Sequence, residues 1–600
     1  MICHDCSKNS AASFHWIYIG VIAVSFILIL GCAPDKQYAD TILFNGKIIT
    51  VDKNFSVVEA VAIKDGKFVA IGVDKDILSY TGDSTRIIDL KGHAVIPGLI
   101  EGHAHPVQAS QSEYFEQIPD LHTIKDLLEW ISNEVRIKND GEWIIHPKFF
   151  ITRLKDMRNL TKQELDSVAP DNPVFLNGSF GGMINTKALE LSGMMKLNHA
   201  GILRNERTGV PLGVIRGSAF NLLAIDNSND LTDTQQLQAL KKLFHFYNQV
   251  GITSVCAGGG TVEELKMFEE LMNREELTVR VFQNILFPFQ AKSSLTEMRE
   301  ALRTFGYKTG DGNEWVKVGA LKAIVDGGVL TGTAYLREGW GEKAKEIYGI
   351  ADPKYRGELF LSKDELVRLI TAADEVGWKF TAHVTGGGGV DTLLAAFEEV
   401  NKSKPINGKR FSIIHGNFYT ADAIRKMAAM GIYADMQPAW LYKDTNLLNE
   451  VLGQEVMRTF HPYQSLLEAG IIVNGGSDHM VKLDPNTSIN PYNPFLAMWT
   501  VITRKTDRGT VFNPEEAISR EQALQMYTIN NAFASFEENV KGSIAVGKLA
   551  DLVVLSEDIL TCPENTIREI KSLLTIVDGR TVFENGIFTS SPNMNEIMER

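Results

Sequence analysis

Apolar runs of strand length alternate with amphipathic helical stretches through most of the chain. Stretches such as 361–377 and 420–431 have helical spacing and separate most of the apolar runs. Strands that alternate with helices are typical of a parallel sheet covered by helices. The pattern therefore predicts an α/β fold, a (β/α)8 TIM barrel over residues 93–537. The eight candidate strands are 93–103, 251–258, 277–286, 315–325, 378–383, 410–415, 431–437 and 470–478.

Both ends of the chain carry short alternating runs that are typical of antiparallel strands. Turn-forming pairs separate several of these runs and predict β-hairpins at Asn45-Gly46, Asp65-Gly66 and Asp578-Gly579. Because chain termini often lie close together, we expect one composite domain built from both ends. The prediction is a β-sandwich domain made of residues 32–92 with 538–590.

The segment between the first two candidate barrel strands, 106–232, is too long for an ordinary loop. It contains strand and helix signals of its own. We therefore predict an insertion domain within the barrel, placed over the barrel mouth where it would contribute to substrate selection.

Residues 17–30 form an unbroken run of apolar or small residues near the N-terminus. This run is shorter than the roughly 20 residues that a membrane span needs, but it suits a signal-peptide core. It ends in Ile29-Leu30-Gly31-Cys32, which resembles a bacterial lipobox. We expect residues 1–31 to be a lipoprotein signal peptide, Cys32 to be lipidated, and the protein to be lipid-anchored in the cell envelope on the periplasmic or extracellular face. The alternative is an uncleaved anchor helix.

Composition narrows the range of partners. Lys and Arg total 60 against 74 Asp and Glu, a formal net charge of −14, and no basic cluster occurs. Binding to nucleic acid through phosphate contacts is therefore not expected. Five cysteines in 600 residues do not make a disulfide scaffold. The expected partner is a small-molecule substrate, with membrane contact only through the lipid anchor; a homo-oligomer is left open.

Polar residues recur near the ends of the candidate barrel strands, where barrel enzymes place their catalytic groups. Taken singly, each residue has a structural explanation, such as a hydrogen-bonded core histidine, an ion-paired lysine or a capping aspartate. Burying all of them together without partners would be costly, and a metal ion would satisfy them jointly. Imidazole and carboxylate ligands suit zinc or a similar divalent ion. The candidate residues are His103, His105, Lys322, His383, His415 and Asp478.

Several motifs together resemble the amidohydrolase superfamily of metal-dependent hydrolases, in particular its amidohydrolase 3 branch of N-substituted formamide deformylases and YtcJ-like proteins. The resemblance covers roughly residues 38–590. It rests on the strand-end histidines and on the motifs VIPGLIEGHAHP, GSDH and GSIAVGKLADLVVLSED. It implies that His103, His105 and Asp478 bind one metal ion and that His383 and His415 bind a second. Lys322 would bridge both ions as a carboxylated lysine.

The resemblance also implies a reaction. One or two divalent ions, expected to be zinc, would generate a hydroxide that attacks a carbonyl carbon, with Asp478 as general base and then general acid. His415 would either bind metal or orient substrate. The expected activity is hydrolysis of a non-peptide C–N bond in an amide, N-acyl or formamide compound.

Other activities remain open on the same residues. They are lactone or carbamate hydrolysis, deamination, a non-catalytic binding protein of the same fold, and a metal-free aldolase that uses Lys322 as a Schiff base. The sequence assigns no substrate-binding residue. Two local expectations concern the loops: Gly386–Gly389 as a flexible turn, and Asp326-Gly327-Gly328 as a tight turn, with Asp326 as a brace for the modified lysine left open as the alternative.

Overall fold

The structure is a computed structural model that describes residues 38–225, 231–288 and 293–588. The expected signal peptide and Cys32 lie outside these ranges. Within them, no helix has both the length and the apolar character needed to cross a membrane.

The described chain contains strands in four sheets. The strands are β1 Thr41–Phe44, β2 Lys47–Ile49, β3 Val57–Val58, β4 Ala60–Lys64, β5 Lys67–Gly72, β6 Arg86–Asp89, β7 Ala94–Pro97, β8 Leu99–Ala104, β9 Ile144–His146, β10 Val174–Asn177, β11 Gly181–Ile184, β12 Ile202–Arg204, β13 Pro211–Arg216, β14 Ile252–Gly260, β15 Arg280–Leu286, β16 Val316–Ile324, β17 Phe380–Val384, β18 Ser412–His415, β19 Tyr433–Met436, β20 Val473–Gly475, β21 Leu552–Leu555, β22 Ser572–Val577 and β23 Arg580–Glu584.

The α-helices of the same residues are α1 Asp74–Leu78, α2 Pro106–Gln111, α3 Ile124–Ile137, α4 Lys162–Val168, α5 Thr186–Leu191, α6 Asp233–Gln249, α7 Val262–Asn273, α8 Leu295–Thr304, α9 Ala344–Tyr348, α10 Lys363–Glu375, α11 Gly387–Ser403, α12 Ala421–Met430, α13 Pro438–Met457, α14 Tyr463–Glu468, α15 Pro494–Thr503, α16 Arg520–Met526 and α17 Ile529–Ala534.

The central sheet confirms the predicted barrel. Eight parallel strands run in the order β8-β14-β15-β16-β17-β18-β19-β20. The sheet closes where the segment after β20 meets β8. There the Asp478 amide donates to the His103 carbonyl at 2.7 Å, and the His105 amide donates to the His479 carbonyl at 2.7 Å. This closure brings the first and last barrel strands side by side.

Helix α10 shows how the outer layer forms from the sequence. Ser362 and Glu365 make a reciprocal capping box that satisfies backbone N–H groups at the first turn. Leu366, Leu369 and Ala373 then repeat at helical spacing and are fully buried. The helix therefore starts at a fixed residue and turns its apolar face toward the barrel.

Strands from both ends of the described chain share one sheet. Its order is β23-β22-β21-β7-β2-β3, and a second sheet has the order β5-β4-β1-β6. Leu43 and Val61 from the second sheet share a buried apolar cluster with Val95, Leu552 and Leu574 from the first. Burial of these side chains joins the two sheets.

Of four local predictions, two are wrong and two are confirmed. The first candidate barrel strand, 93–103, is wrong as a single strand, because it divides at Gly98 into β7 of the mixed sheet and β8 of the barrel. The Asn45-Gly46 hairpin is also wrong, since β1 and β2 belong to different sheets. The hairpins at Asp65-Gly66 and Asp578-Gly579 are confirmed by antiparallel pairing on either side of each turn.

The segment between β8 and β14 folds around a sheet of its own, in the order β12-β13-β11-β10-β9. Helices α3 and α4 pack on it through Leu127, Ile131 and Leu165, which are fully buried. Loops from this sheet reach the open end of the barrel, where the candidate residues lie.

Candidate metal centre

The barrel brings all six candidate residues to one end of the sheet. His103, Lys322, His383 and His415 lie within β8, β16, β17 and β18, close to their carboxyl ends. His105 follows β8 directly, and Asp478 follows β20. A cavity of about 190 Å³ opens above them, with five of the six in its wall; His103 is fully buried beneath.

The tightest group within the described residues is His103, His415 and Asp478. One nitrogen or oxygen atom of each lies within 4.8 Å of the others, a spacing that suits a single metal ion. His105 Nε2 is 3.3 Å from Asp478 Oδ1, and His103 Nε2 is 3.7 Å from the same oxygen. The His383 ring centre is 4.6 Å from that of His415. The tightest group thus draws residues from both ligand sets that the resemblance implies.

Three of the histidines use one ring nitrogen in a hydrogen bond inside the protein. His103 Nδ1 lies 3.0 Å from Asp435 Oδ2, and His415 Nδ1 lies 2.7 Å from Gln437 Oε1. His383 Nε2 is 3.2 Å from the Gly327 carbonyl oxygen. A ring nitrogen that donates to such an acceptor fixes the tautomer and leaves the lone pair on the other nitrogen.

Burial keeps these imidazoles uncharged. Desolvation, reinforced by the neighbouring Lys322 charge, holds the pKa of His103 well below its usual range and lowers the pKa of His383 to about 3. The pKa of His415 is likewise far below its usual value, through burial and then its neighbour His383. A neutral imidazole has a lone pair to offer, and His103 Nε2 is buried with no hydrogen-bond partner. These features fit a metal ligand.

Asp478 combines strain with an ionised side chain. Its φ of 59° lies in the left-handed region that non-glycine residues rarely adopt, and His415 has a φ of 70°. Burial alone would raise the pKa of Asp478, but the hydrogen bond from His105 and the nearby His103 and Lys322 outweigh it and keep this pKa below its ordinary value. Asp478 is therefore a carboxylate at neutral pH.

Lys322 lies on the same cavity wall and is 5% exposed. Burial lowers its pKa, and the attraction of Asp478 and then Asp435 offsets this only in part. A lowered pKa favours the neutral amine, which is the form that has a lone pair.

Sequence reasoning missed two buried carboxyl groups beneath the histidines. Asp435 holds His103 and also accepts a hydrogen bond from Gln437, and burial raises its pKa to about 8. Glu101 accepts the backbone N–H groups of His103 and Ser477, and burial raises its pKa to about 8 as well. Each is an acidic residue within an otherwise apolar strand, and an ionisable residue in such a strand is the same signal that singled out Lys322.

The flexible turn at Gly386–Gly389 and the bracing role of Asp326 are both wrong. Gly387–Gly389 begin helix α11 rather than forming a flexible turn. Asp326 accepts the backbone N–H groups of Thr385, Gly386 and Tyr335, so it fixes the start of this helix instead of bracing Lys322. A Cβ on Gly386 would lie 2.1 Å from the Tyr335 carbonyl oxygen, which explains why this position is glycine.

A family model agrees with the barrel and its histidines. The model described as the amidohydrolase family matches residues 86–583. The chain belongs to the amidohydrolase family. The resemblance inferred from the motifs is thereby confirmed, together with the enzyme class, since this is a family of metal-dependent hydrolases.

Individual relatives of this amidohydrolase match along almost their whole length. The N-substituted formamide deformylase of Arthrobacter pascens is 28% identical over 566 residues, covering 91% of this chain and 99% of the relative. YtcJ of Bacillus subtilis is 24% identical over 555 residues, covering 90% and 98%. A crystal structure of an uncharacterized metal-dependent hydrolase from Pyrococcus horikoshii OT3 superposes with a TM-score of 0.65 at 21% identity, covering 88% of this chain and 99% of that one. This last similarity supports the fold.

Proposed function

We propose that this amidohydrolase hydrolyses a non-peptide C–N bond in a small N-formyl or N-acyl compound, using one or two divalent metal ions. The observation that supports this most is the group of His103, His415 and Asp478 at the mouth of the barrel, in which the buried His103 Nε2 has no hydrogen-bond partner. The formamide deformylase among the relatives suggests the bond type.

The six residues fit a metal centre by their chemistry. His103, His105, His383 and His415 would bind through ring nitrogens and Asp478 through its carboxylate, while Lys322 would join as a carbamate. Nitrogen and carboxylate ligands on a rigid barrel favour zinc. When bound, such an ion lowers the pKa of water and polarises a substrate carbonyl.

Side chains of the protein would transfer the proton and orient the groups at the site. Asp478, ionised and held by His105, would take the proton from the attacking water at a carboxylate oxygen and deliver it to the leaving nitrogen. Trp440 stacks on the His415 ring at 4.5 Å and 14°, which fixes the orientation of that imidazole. Phe180 packs against His383 with ring centres 5.0 Å apart and adds an apolar surface to the cavity wall.

The test is hydrolysis of N-substituted formamides and N-acyl amines by protein loaded with zinc, followed as amine release. We expect activity that a chelator removes and added metal restores. Asp478→Asn should lower kcat by about 10²- to 10⁴-fold, the usual contribution of a positioned proton-transfer group. The exposed Asp422→Asn is the matched control and should retain full activity.

Activity that survives complete metal removal would contradict the proposal. So would an Asp478→Asn variant that binds metal and turns over at the wild-type rate.

We also propose that lipidated Cys32 anchors the enzyme to a bacterial membrane of the cell envelope, on its periplasmic or extracellular face, on the strength of the lipobox-like Leu30-Gly31-Cys32. Cys32→Ser should shift the protein from the membrane to the soluble fraction or leave it unprocessed. Unchanged fractionation and processing would refute the anchor.

A further inference from the structure

The inserted sheet places a buried ammonium group in the wall of the catalytic cavity. Lys148 follows β9, is 5% exposed, and lines the cavity together with Asp478 and His105. Its Nζ hydrogen-bonds to Ser179 Oγ. Within the described residues, no carboxylate lies within 4.0 Å of this nitrogen, whereas many other lysines form ion pairs.

A buried cation without a paired anion is unfavourable, because it loses water and gains no compensating charge. Burial accordingly lowers the pKa of Lys148 to about 8, with the more distant Asp478 acting in the opposite sense. Metal ions at the proposed centre would add positive charge to the same cavity and increase the imbalance.

The partner of Lys148 is held by a constrained turn. Ser179 has a φ of 73° in the loop between β10 and β11, and its backbone N–H donates to Asn177 Oδ1 at 2.9 Å. The Gly178 N–H donates to the Gly181 carbonyl at 2.9 Å, which closes the turn. Backbone strain of this kind persists only where surrounding contacts maintain it, and it is frequent at binding sites.

The rest of the cavity wall is largely apolar. It includes the side chains of Phe150, Phe180, Leu286, Leu330 and Trp440. Among the described residues outside the proposed metal centre, Lys148 is the one cation in this wall. A cation in apolar surroundings recognises a ligand that has an apolar body and a single negative group.

We infer that Lys148, supported by Ser179, binds a carboxylate of the substrate, so that the enzyme prefers N-acylated amino acids to N-acylated neutral amines. This inference rests on the proposed function and specifies its substrate class. Lys148 is assigned to substrate recognition, whereas proton transfer stays with Asp478.

The test compares N-formyl-phenylalanine with its neutral amide, N-formyl-phenylalaninamide, on the zinc-loaded wild type, Lys148→Met and Lys125→Met. Lys125 lies on α3 of the same insertion with a side chain that is 81% exposed, so its variant loses the same charge outside the cavity. kcat and KM are measured for both compounds, and binding of both is measured by calorimetry.

We expect the wild type and Lys125→Met to favour the carboxylate by about 10- to 100-fold in kcat/KM, the range for a hydrogen bond to a charged group. Lys148→Met should lose this preference through a higher KM for the carboxylate, with a much smaller change in KM for the neutral amide. Without ligand, Lys148→Met should be at least as thermally stable as the wild type, because an unpaired buried charge has been removed.

Equal use of the two compounds by the wild type would overturn the inference, as would a preference that Lys148→Met retains. An equal fall in kcat for both compounds would also overturn it, by assigning Lys148 to the chemical step. Failure of N-formyl-phenylalanine to bind would have the same consequence. Selective binding of N-formyl-phenylalanine without turnover of either compound would instead contradict the proposed function. It would still support Lys148 as an anion-binding residue.

Discussion

At the scale of single residues, the site depends on which ring nitrogen of each histidine is hydrogen-bonded within the protein and which is left free. Asp435 fixes His103 at Nδ1, and Gln437 fixes His415 at the same ring position. Gln437 Nε2 also donates to Asp435 Oδ1 at 2.9 Å, so the two supports are connected. This arrangement orients both free Nε2 atoms before any ion arrives.

Asp435→Asn should therefore weaken metal binding without removing a ligand. The amide keeps the shape of the side chain but lacks the acidic group that holds His103, and loss of such an orienting partner typically costs about 10- to 100-fold in metal affinity. Equilibrium dialysis against zinc measures the change, with Asp422→Asn as the control. Unchanged affinity in Asp435→Asn would show that His103 needs no such support.

The sequence identified the six strand-end residues because a histidine, lysine or aspartate stands out in an apolar run. By the same criterion, Asp435 and Glu101 could have been identified, because each interrupts an apolar strand. Lys148 carries no comparable signal, because its role depends on a loop that meets the barrel only after folding. The spacing of apolar residues along the chain predicts helices and strands, but it does not predict contacts between loops that are distant in the sequence.

At the scale of elements, the end of the barrel opposite the cavity is held by buried ion pairs. Glu537, which follows α17, pairs with Lys317 on β16 and with Lys541, and its side chain is only 3% exposed. Burial would raise the pKa of Glu537, but the two lysine charges outweigh it and lower the pKa to about 2.

This shift predicts a pH-dependent contribution to stability. A carboxylate whose folded-state pKa lies below its unfolded value stabilises the fold above the unfolded pKa, and the effect is lost as the pH falls toward the folded value. Glu537→Gln should cost about 3 kcal/mol at pH 7, lowering the melting temperature by a few degrees. The difference from wild type should shrink below about pH 4.5.

Thermal unfolding between pH 7 and pH 3.5 measures this difference. The exposed Glu300→Gln on α8 serves as the control and should melt with the wild type throughout. A Glu537→Gln deficit that stays constant over this range would exclude the ion pairs as its cause.

The apolar runs located all eight barrel strands, because strands covered on both faces are apolar along their whole length. They failed only at 93–103, where two such strands follow one another. Gly98 marks the change of sheet: a Cβ there would lie 2.2 Å from Thr253 Oγ1, so the chain passes too close to β14 for any side chain. Because both strands are buried, their residues form one continuous apolar run, and the boundary between them cannot be predicted from the hydrophobic pattern.

At the scale of the whole molecule, one buried arginine joins the barrel to the mixed sheet. Arg280 at the start of β15 donates to Asp551 at 2.8 and 3.1 Å and to Asp578 at 3.0 Å. Its guanidinium also stacks over Trp315, 4.4 Å from the ring centre. The C-terminal strands β21 and β22 of the mixed sheet, which Asp551 precedes and Asp578 follows, are thus tied to the barrel by this side chain.

Arg280→Ala should lower the stability of the entire protein by about 3–5 kcal/mol, because it leaves two carboxylates near the interface without their cation. Arg274→Ala is the matched control, since Arg274 pairs with Glu270 on an exposed helix surface and should cost less than about 1 kcal/mol. Denaturant unfolding monitored by tryptophan fluorescence compares the two variants. Equal stabilities would mean that apolar packing alone holds the mixed sheet to the barrel.

The proposed metal centre is tested by the metal content of protein purified without chelator, for the wild type and His103→Ala. We expect one to two equivalents of a zinc-like ion in the wild type and a loss of at least half in the variant. The exposed His245→Ala on α6 should match the wild type. The proposed metal centre would be contradicted if the wild-type protein contains no metal and if added zinc does not change its stability.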